Sequence, residues 1–446
     1  MNLSKSITQP FSFKNILGIC ALCFFAIQPW DRYLSDAFWL LLALISLAYV
    51  LTKKFQGHDF NTPKNLQCLF WIFTLFPVVS IISYVFSPLE ALTPTALEPE
   101  TRWLLIIPMI IAMREQKIGP NWILAFLAAY ALNTFLSAGQ ETYWFKHLHI
   151  RTNGDENAVP YGMFNATIGL MLLAYAISPY IKQANLKAHK LILIRLVITA
   201  LVVLSFIAAF LSGTRGAILL MPIVAIILYA SHYSFKKASI SIIILLSLGI
   251  IFMTSQPNHS VVKRLIAGKD NALAFFINAD KASKLTSAGA RLEQWRESAC
   301  IFTKHPILGS GPRSYRYAHQ VYGGKDQCNG FQGGYYESVG GSYQAHSLYF
   351  NTLGTLGLAG ILTLALLFGL LLKAAMTAFR KPNTLTKLGG GLLITVLASH
   401  AINGITLDLL FMNHVTDKNL LVIALPLLLI FYKQNTKPID QPLINQ

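Results

Sequence analysis

Apolar runs of about 20 residues follow one another along most of this chain, and a run of that length leaves few structural options. The hydrocarbon of a bilayer holds no water, so each backbone N–H and C=O inside it must be paired by the protein. An α-helix meets that demand within one segment. The sequence therefore predicts an all-α membrane protein of about twelve transmembrane helices. They fall near 13–29, 34–52, 66–86, 102–114, 121–138, 161–181, 191–211, 216–231, 238–255, 347–372, 388–407 and 418–432. The fourth, from Arg102 to Met113, is short and is expected either to extend or to re-enter. Only 12% of the 446 residues are charged and 54% are hydrophobic, which fits this class. Lys5 and Lys14 precede the first run, but no small-x-small pattern follows before Pro29 and Trp30. That run is expected to be a retained span and not a cleaved signal.

Charge gives an expected orientation. With the N-terminus placed in the cytoplasm, the inside segments hold Lys53, Lys54, Lys64, Arg114, Lys117, Lys182, Lys187, Lys190, Lys236, Lys237, Lys373, Arg380, Lys381 and Lys387. Few basic residues remain in the short outside loops, which instead carry acids such as Asp31, Glu98, Glu100, Glu141, Asp408 and Asp417. The net charge of +17 is thus read as topology. It argues against a nucleic-acid partner, because the basic residues are scattered and form no single face. Both termini are expected in the cytoplasm.

The organisation follows: first nine spans in 1–255, a large outside loop in 256–346, and the last three spans in 347–446. The loop is the only long polar stretch. It is rich in Arg, Tyr and Gly, and closes on His346 where the chain re-enters the apolar region. Cys300 and Cys328 both lie in it and can pair in an oxidising compartment. Cys20, Cys23 and Cys68 read as apolar filler. His147 and His149 lack a third ligand, so a metal site there is not expected.

Three groups near the membrane carry possible chemistry. Arg215 sits in Ser212-Gly213-Thr214-Arg215-Gly216-Ala217, a turn too tight to let it leave the outer surface. It reads either as an interfacial arginine reaching headgroups or as a fork of donors for phosphate oxygens. Next, Leu292, Trp295, Ala299 and Phe302 repeat at helical spacing, so 289–302 is expected as an amphipathic helix on the bundle. Arg291 and Trp295 share a face four residues apart; Arg296 and, further on, Arg313 are additional substrate-binding candidates. The bland alternative is a solvated face on which Glu293 and Glu297 pair arginines. Pro306 should end the helix before a Gly309-Ser310-Gly311-Pro312 turn. Third, His346 either takes a proton from a hydroxyl or is a plain interfacial residue. Tyr315, Tyr317, Tyr322, Tyr335, Tyr336 and Tyr343 either stack on sugar rings or are ordinary interfacial aromatics.

In this order, the motifs resemble the bacterial O-antigen ligase family, which also includes O-antigen polymerases and protein O-oligosaccharyltransferases. The resemblance rests on Ser212-Gly213-Thr214-Arg215-Gly216, on Arg291-Leu292-Glu293-Gln294-Trp295 followed by Gly309-Ser310-Gly311, and on His346-Ser347, nine residues, then Gly357-Leu358-Ala359-Gly360. Where many relatives carry Asn after the histidine and Glu two before the first glycine, this chain has Ser347 and Thr355. The resemblance implies a GT-C-like fold with one large periplasmic loop containing short helices. It also implies a metal-independent, inverting glycosyl transfer at the bacterial inner membrane, with no cofactor. The donor would be a glycan on undecaprenyl pyrophosphate, held by Arg215 and Arg291. The acceptor would be a lipid A-core hydroxyl activated by His346. Protein oligosaccharyltransferases resemble longer chains, and this sequence stops at Gln446, so that option ranks lower. A lipid-glycan transporter is the non-enzyme reading. It predicts ionisable groups within several spans, and the sequence shows few.

Overall fold

The computed structural model describes residues 12–90, 92–143, 152–154, 157–184, 187–214, 216–217, 221–225, 228, 287–315, 317, 344–412 and 415–432, with a few positions between 263 and 273. Eleven helices organise these residues: α1 (Phe13–Ile27), α2 (Arg32–Phe55), α3 (Lys64–Val85), α4 (Ile106–Glu115), α5 (Pro120–Glu141), α6 (Ala158–Ile177), α7 (Ala188–Leu211), α8 (Ser287–Lys304), α9 (Leu348–Phe379), α10 (Thr384–Asn403) and α11 (Thr416–Ile430). No strand occurs among the described residues. Starts follow local chemistry. Asp31 accepts from Leu34 N at 2.9 Å and Asn383 from Thr386 N at 3.0 Å, while Pro120 opens α5.

Seven of these helices are long and apolar enough to cross a membrane: α2, α3, α5, α6, α7, α9 and α10. Helices α1 and α11 have 15 residues each. The fourth expected span does not extend; α4 has ten residues and follows three short turns, Pro94–Leu97, Glu98–Thr101 and Arg102–Leu105. The stretches expected near 216–231 and 238–255 fall largely outside the described residues, as does much of the loop 256–346.

Helix burial runs against hydropathy. Helix α7 is the most apolar span, yet only 22% of its most apolar stretch is buried, whereas the corresponding stretch of α6, the least apolar span, is 83% buried. Lipid is as apolar as leucine, so burial inside a membrane bundle selects small residues that allow close approach. A Cβ on Gly169 of α6 would lie 2.5 Å from the Phe206 ring of α7. Around this centre, α6 packs on α7 and α10, α10 on α9 and α11, and α9 on α3 and α8. The sequence suggested few ionisable groups within spans. The structure adds Asp417 and Lys418, both buried at the start of α11. Asp417 pairs with Arg102 at 2.7 Å, and Lys418 lies 5.8 Å from the Phe164 ring centre. Partnered charges at a helix end avoid the cost of an isolated charge in the interior.

Candidate functional site

The site is built at one end of the bundle around a break in α9. Gly357 has φ 61° and ψ −154°, a conformation open only to glycine, and it interrupts the helical hydrogen bonds. The turn after α8 fills the gap. Ser310 N and Gly311 N donate to the carbonyls of Gly354 (3.1 Å) and Thr355 (2.9 Å). Leu358 N and Ala359 N donate to Pro306 (2.8 Å) and Ile307 (3.0 Å). Every backbone group named here thus finds a partner, as buried ones must. Ser83 of α3 and Ser87 just beyond its end brace the turn by donating to Leu308 O (2.6 Å) and Ser310 O (2.5 Å). Thr355 serves through its carbonyl, and its hydroxyl donates to Asn351 O at 2.7 Å.

This arrangement presents His346. The residue holds a left-handed backbone with φ 48°, rare for a side chain with a Cβ. Ser347, next in sequence, is buried; its hydroxyl donates to Gly404 O at 3.1 Å, and Leu348 N donates to the same carbonyl at 2.8 Å. Asn351 accepts from Ala345 N at 3.3 Å and donates to Asp408 at 2.8 Å. The chain is thereby fixed on both sides of His346. Burial, and then the positive charge of Arg291, pull its pKa down to about 4, so the ring is neutral at pH 7. Its Nδ1 is buried with no protein hydrogen-bond partner.

Helix α8 supplies the second group. It spans Ser287–Lys304, ends before Pro306 as expected, and packs along α9. Trp295 stacks on Phe350, with ring centres 5.1 Å apart and planes 7° from parallel. The buried face differs from the expected apolar stripe. Leu292, Trp295, Ala299 and Phe302 are only half-buried, while Glu293, Gln294, Glu297, Ser298 and Ile301 are buried. Polar groups can occupy that face because several have partners. Arg296 donates to Glu293 at 2.5 Å, and Tyr315 donates to Glu297 at 2.5 Å. The first is the pairing of an arginine with Glu293 that the sequence left open as one alternative. Arg296 is engaged in a partly exposed ion pair, and buried Tyr315 spends its hydroxyl internally. Trp295 Nε1, Ser298 Oγ and Thr352 Oγ1 join His346 Nδ1 as buried polar atoms without a partner. Cys300 is disulfide-bonded. Cys328, the partner expected from sequence, lies outside the described residues, as do His147, His149 and the tyrosines from 322 to 343.

Arg215 also lies outside the described residues, but its neighbours locate the first motif. Thr214 donates its hydroxyl to Ala158 O at 2.8 Å, and a Cβ on Gly216 would lie 3.5 Å from Thr406 and 3.9 Å from Asn403. Asn403 immediately precedes Gly404, the residue that anchors Ser347. The end of α10 therefore joins the first motif to the third, and the Trp295–Phe350 stack joins the second to the third.

Three polar residues near the site were not among the candidates the sequence offered for it. Asn403 is buried with neither amide atom partnered. Glu100 is buried, and its carboxyl is pushed up to about 8 by burial, with Arg313 opposing the shift and Asp408 adding to it. Asp408 is pushed up to about 7 by burial, against hydrogen bonds from Asn351, Phe411 and Leu410. Arg313 donates to Thr95 O at 3.3 Å, with a left-handed φ of 52°. No cluster of three or more metal-ligating side chains occurs among the described residues.

A membrane bundle with a polar site at one end, assembled from three separated motifs, defines a multi-pass membrane protein. Residues 200–365, the segment that holds all three motifs, match the family described as O-antigen ligase. An uncharacterized protein of Haemophilus influenzae is 26% identical over 289 residues, covering 62% of this chain. The match spans 65% of that protein's own length.

Proposed function

We propose that this protein transfers an undecaprenyl-pyrophosphate-linked glycan to a sugar hydroxyl of lipid A-core on the periplasmic face of the bacterial inner membrane. The observation that carries this reading is the buried, neutral His346 imidazole beside the positive charge of Arg291, inside the family segment. A neutral imidazole can accept the proton of the attacking hydroxyl. The acceptor oxygen bonds to the anomeric carbon on one face, and the bond to the diphosphate oxygen breaks on the other, so the configuration inverts. Negative charge then grows on the leaving diphosphate. Arg291, with Arg215 from the first motif, is assigned to hold it, because a fixed guanidinium stabilises developing charge best where water is scarce. The two arginines take the role that a metal ion plays elsewhere. Trp295, stacked on Phe350, offers a flat aromatic edge to the sugar. Basic residues on the opposite side support cytoplasmic termini.

The test is the surface polysaccharide of a deletion strain. Loss of ladder bands on lipid A-core, with polymer accumulating on its carrier, supports ligation. A core bearing a single repeat unit identifies a polymerase instead, and an unglycosylated protein with unchanged polysaccharide identifies a protein transferase.

A further inference from the structure

The far end of α9, roughly 45 Å from Leu348 at 1.5 Å per residue, borders a cavity of about 230 Å³ between α3, α9, α10 and α11. The lining is divided. Leu69, Leu370 and Phe431 are apolar, whereas Lys373, Lys381 and Asn65 are polar or charged. No carboxylate lines it, and neither lysine has an ion pair among the described residues. The first turns of α3 and α10 reach it through Asn65 and Thr386, while the last turns of α9 and α11 reach it through Ala378 and Ile430. Positive and negative helix ends therefore offset each other, and the two ammonium groups set the charge. Along α3 and α9 the apolar side chains Trp71, Leu75, Leu372 and Met376 are exposed.

We propose that this cavity binds one anionic phospholipid at the membrane edge opposite His346. The phosphodiester sits between Lys373 and Lys381, and the acyl chains lie along the exposed faces of α3 and α9. The volume suits a headgroup, and two unpaired cations on an apolar surface suit its charge. A zwitterionic lipid would bring its own cation to the lysines and lose that complementarity.

Cys68, a free and exposed thiol in the lining, reports occupancy. The full chain in a neutral detergent is labelled with a maleimide, and the rate at Cys68 is read by peptide mass spectrometry, with Cys23 as internal reference. Phosphatidylglycerol should slow Cys68 by about fivefold where phosphatidylcholine and inorganic phosphate change it by less than about twofold. The double variant K373Q/K381Q should lose that protection, and K373R/K381R should keep it, with the Cys23 rate unchanged in both. No protection by phosphatidylglycerol, or equal protection by phosphatidylcholine, overturns the proposal. So does protection by phosphate alone, which denotes an anion site without a lipid, or full protection in K373Q/K381Q.

Discussion

Gly357 and Gly309 meet backbone to backbone: a Cβ on Gly357 would lie 2.6 Å from Gly309 N and 2.6 Å from Ile307 O. The contact locks the turn after α8 into the break of α9, and so fixes Arg291 and Trp295 relative to His346. A side chain at 357 would meet both a forbidden φ and backbone atoms that cannot move aside. Gly357→Ala should cost roughly 2–4 kcal/mol and greatly reduce folded protein. Gly369→Ala is the control, because Gly369 lies on the same helix with nothing within 4 Å of its virtual Cβ. Thermal midpoints in detergent test the pair, and equal midpoints for Gly357→Ala and wild type would refute the locking role.

His346 should show an unusual pH dependence. A lowered pKa means that the base is lost only as pH falls through about 4, well under the ordinary 6.5. The acid limb of kcat/KM assigned to this group should therefore lie far below pH 6.5, since that ratio reports the free enzyme. Arg291→Gln removes the lesser of the two causes, so the residual activity should show a limb shifted part of the way upward. His346→Ala should lower turnover by about 10²–10⁴ while leaving donor binding nearly intact. Unchanged turnover in that variant would exclude the imidazole as base.

Much of this site was legible in sequence because its three motifs are local strings. The order of Arg215, Arg291 and His346 between apolar runs sufficed to suggest the family, and Pro306 marked the end of α8. The partner of the glycine motifs was not legible. Nothing in the sequence says that the 306–311 turn inserts into the 354–359 break, because that pairing is made by backbone atoms. Hydrophobic periodicity also misassigned the buried face of α8, since Glu293 and Glu297 are buried by having donors and not by being apolar. Glu100 and Asp408 carry no spacing signal at all; they approach only after α3, α9 and α10 have packed.

Arg215→Ala and Arg291→Ala should each lower glycan transfer by roughly 30- to 1,000-fold or more while the protein still accumulates in the membrane. Each removes a fixed cation from a diphosphate, a loss of about 2–4 kcal/mol or more in transition-state stabilisation. Near-normal transfer in either variant would remove that arginine from the donor site.

The same electrostatic reasoning predicts the effect of metal removal. If guanidinium groups alone neutralise the leaving diphosphate, a chelator should leave the purified enzyme active. Strong inhibition that a divalent ion reverses would mean that arginine-only stabilisation is wrong.

Glu100 makes the sharpest stability prediction. Its carboxyl is raised from 4.5 to about 8, so the unfolded chain releases this proton first as pH rises. Between those values the folded state holds more protons than the unfolded state, and stability falls with rising pH by up to about 1.4 kcal/mol per unit from this group. The contribution is fully present below pH 4.5 and is lost as pH climbs through about 8. Asp408, raised from 3.8 to about 7, adds a loss of the same sign over its own lower window. Glu100→Gln keeps the shape and removes the titration. It should therefore flatten the decline between pH 5 and 8.5 and be more stable than wild type at the alkaline end, as read from thermal midpoints across pH. A variant that declines as steeply as wild type would show that the buried carboxyl is not the group losing its proton.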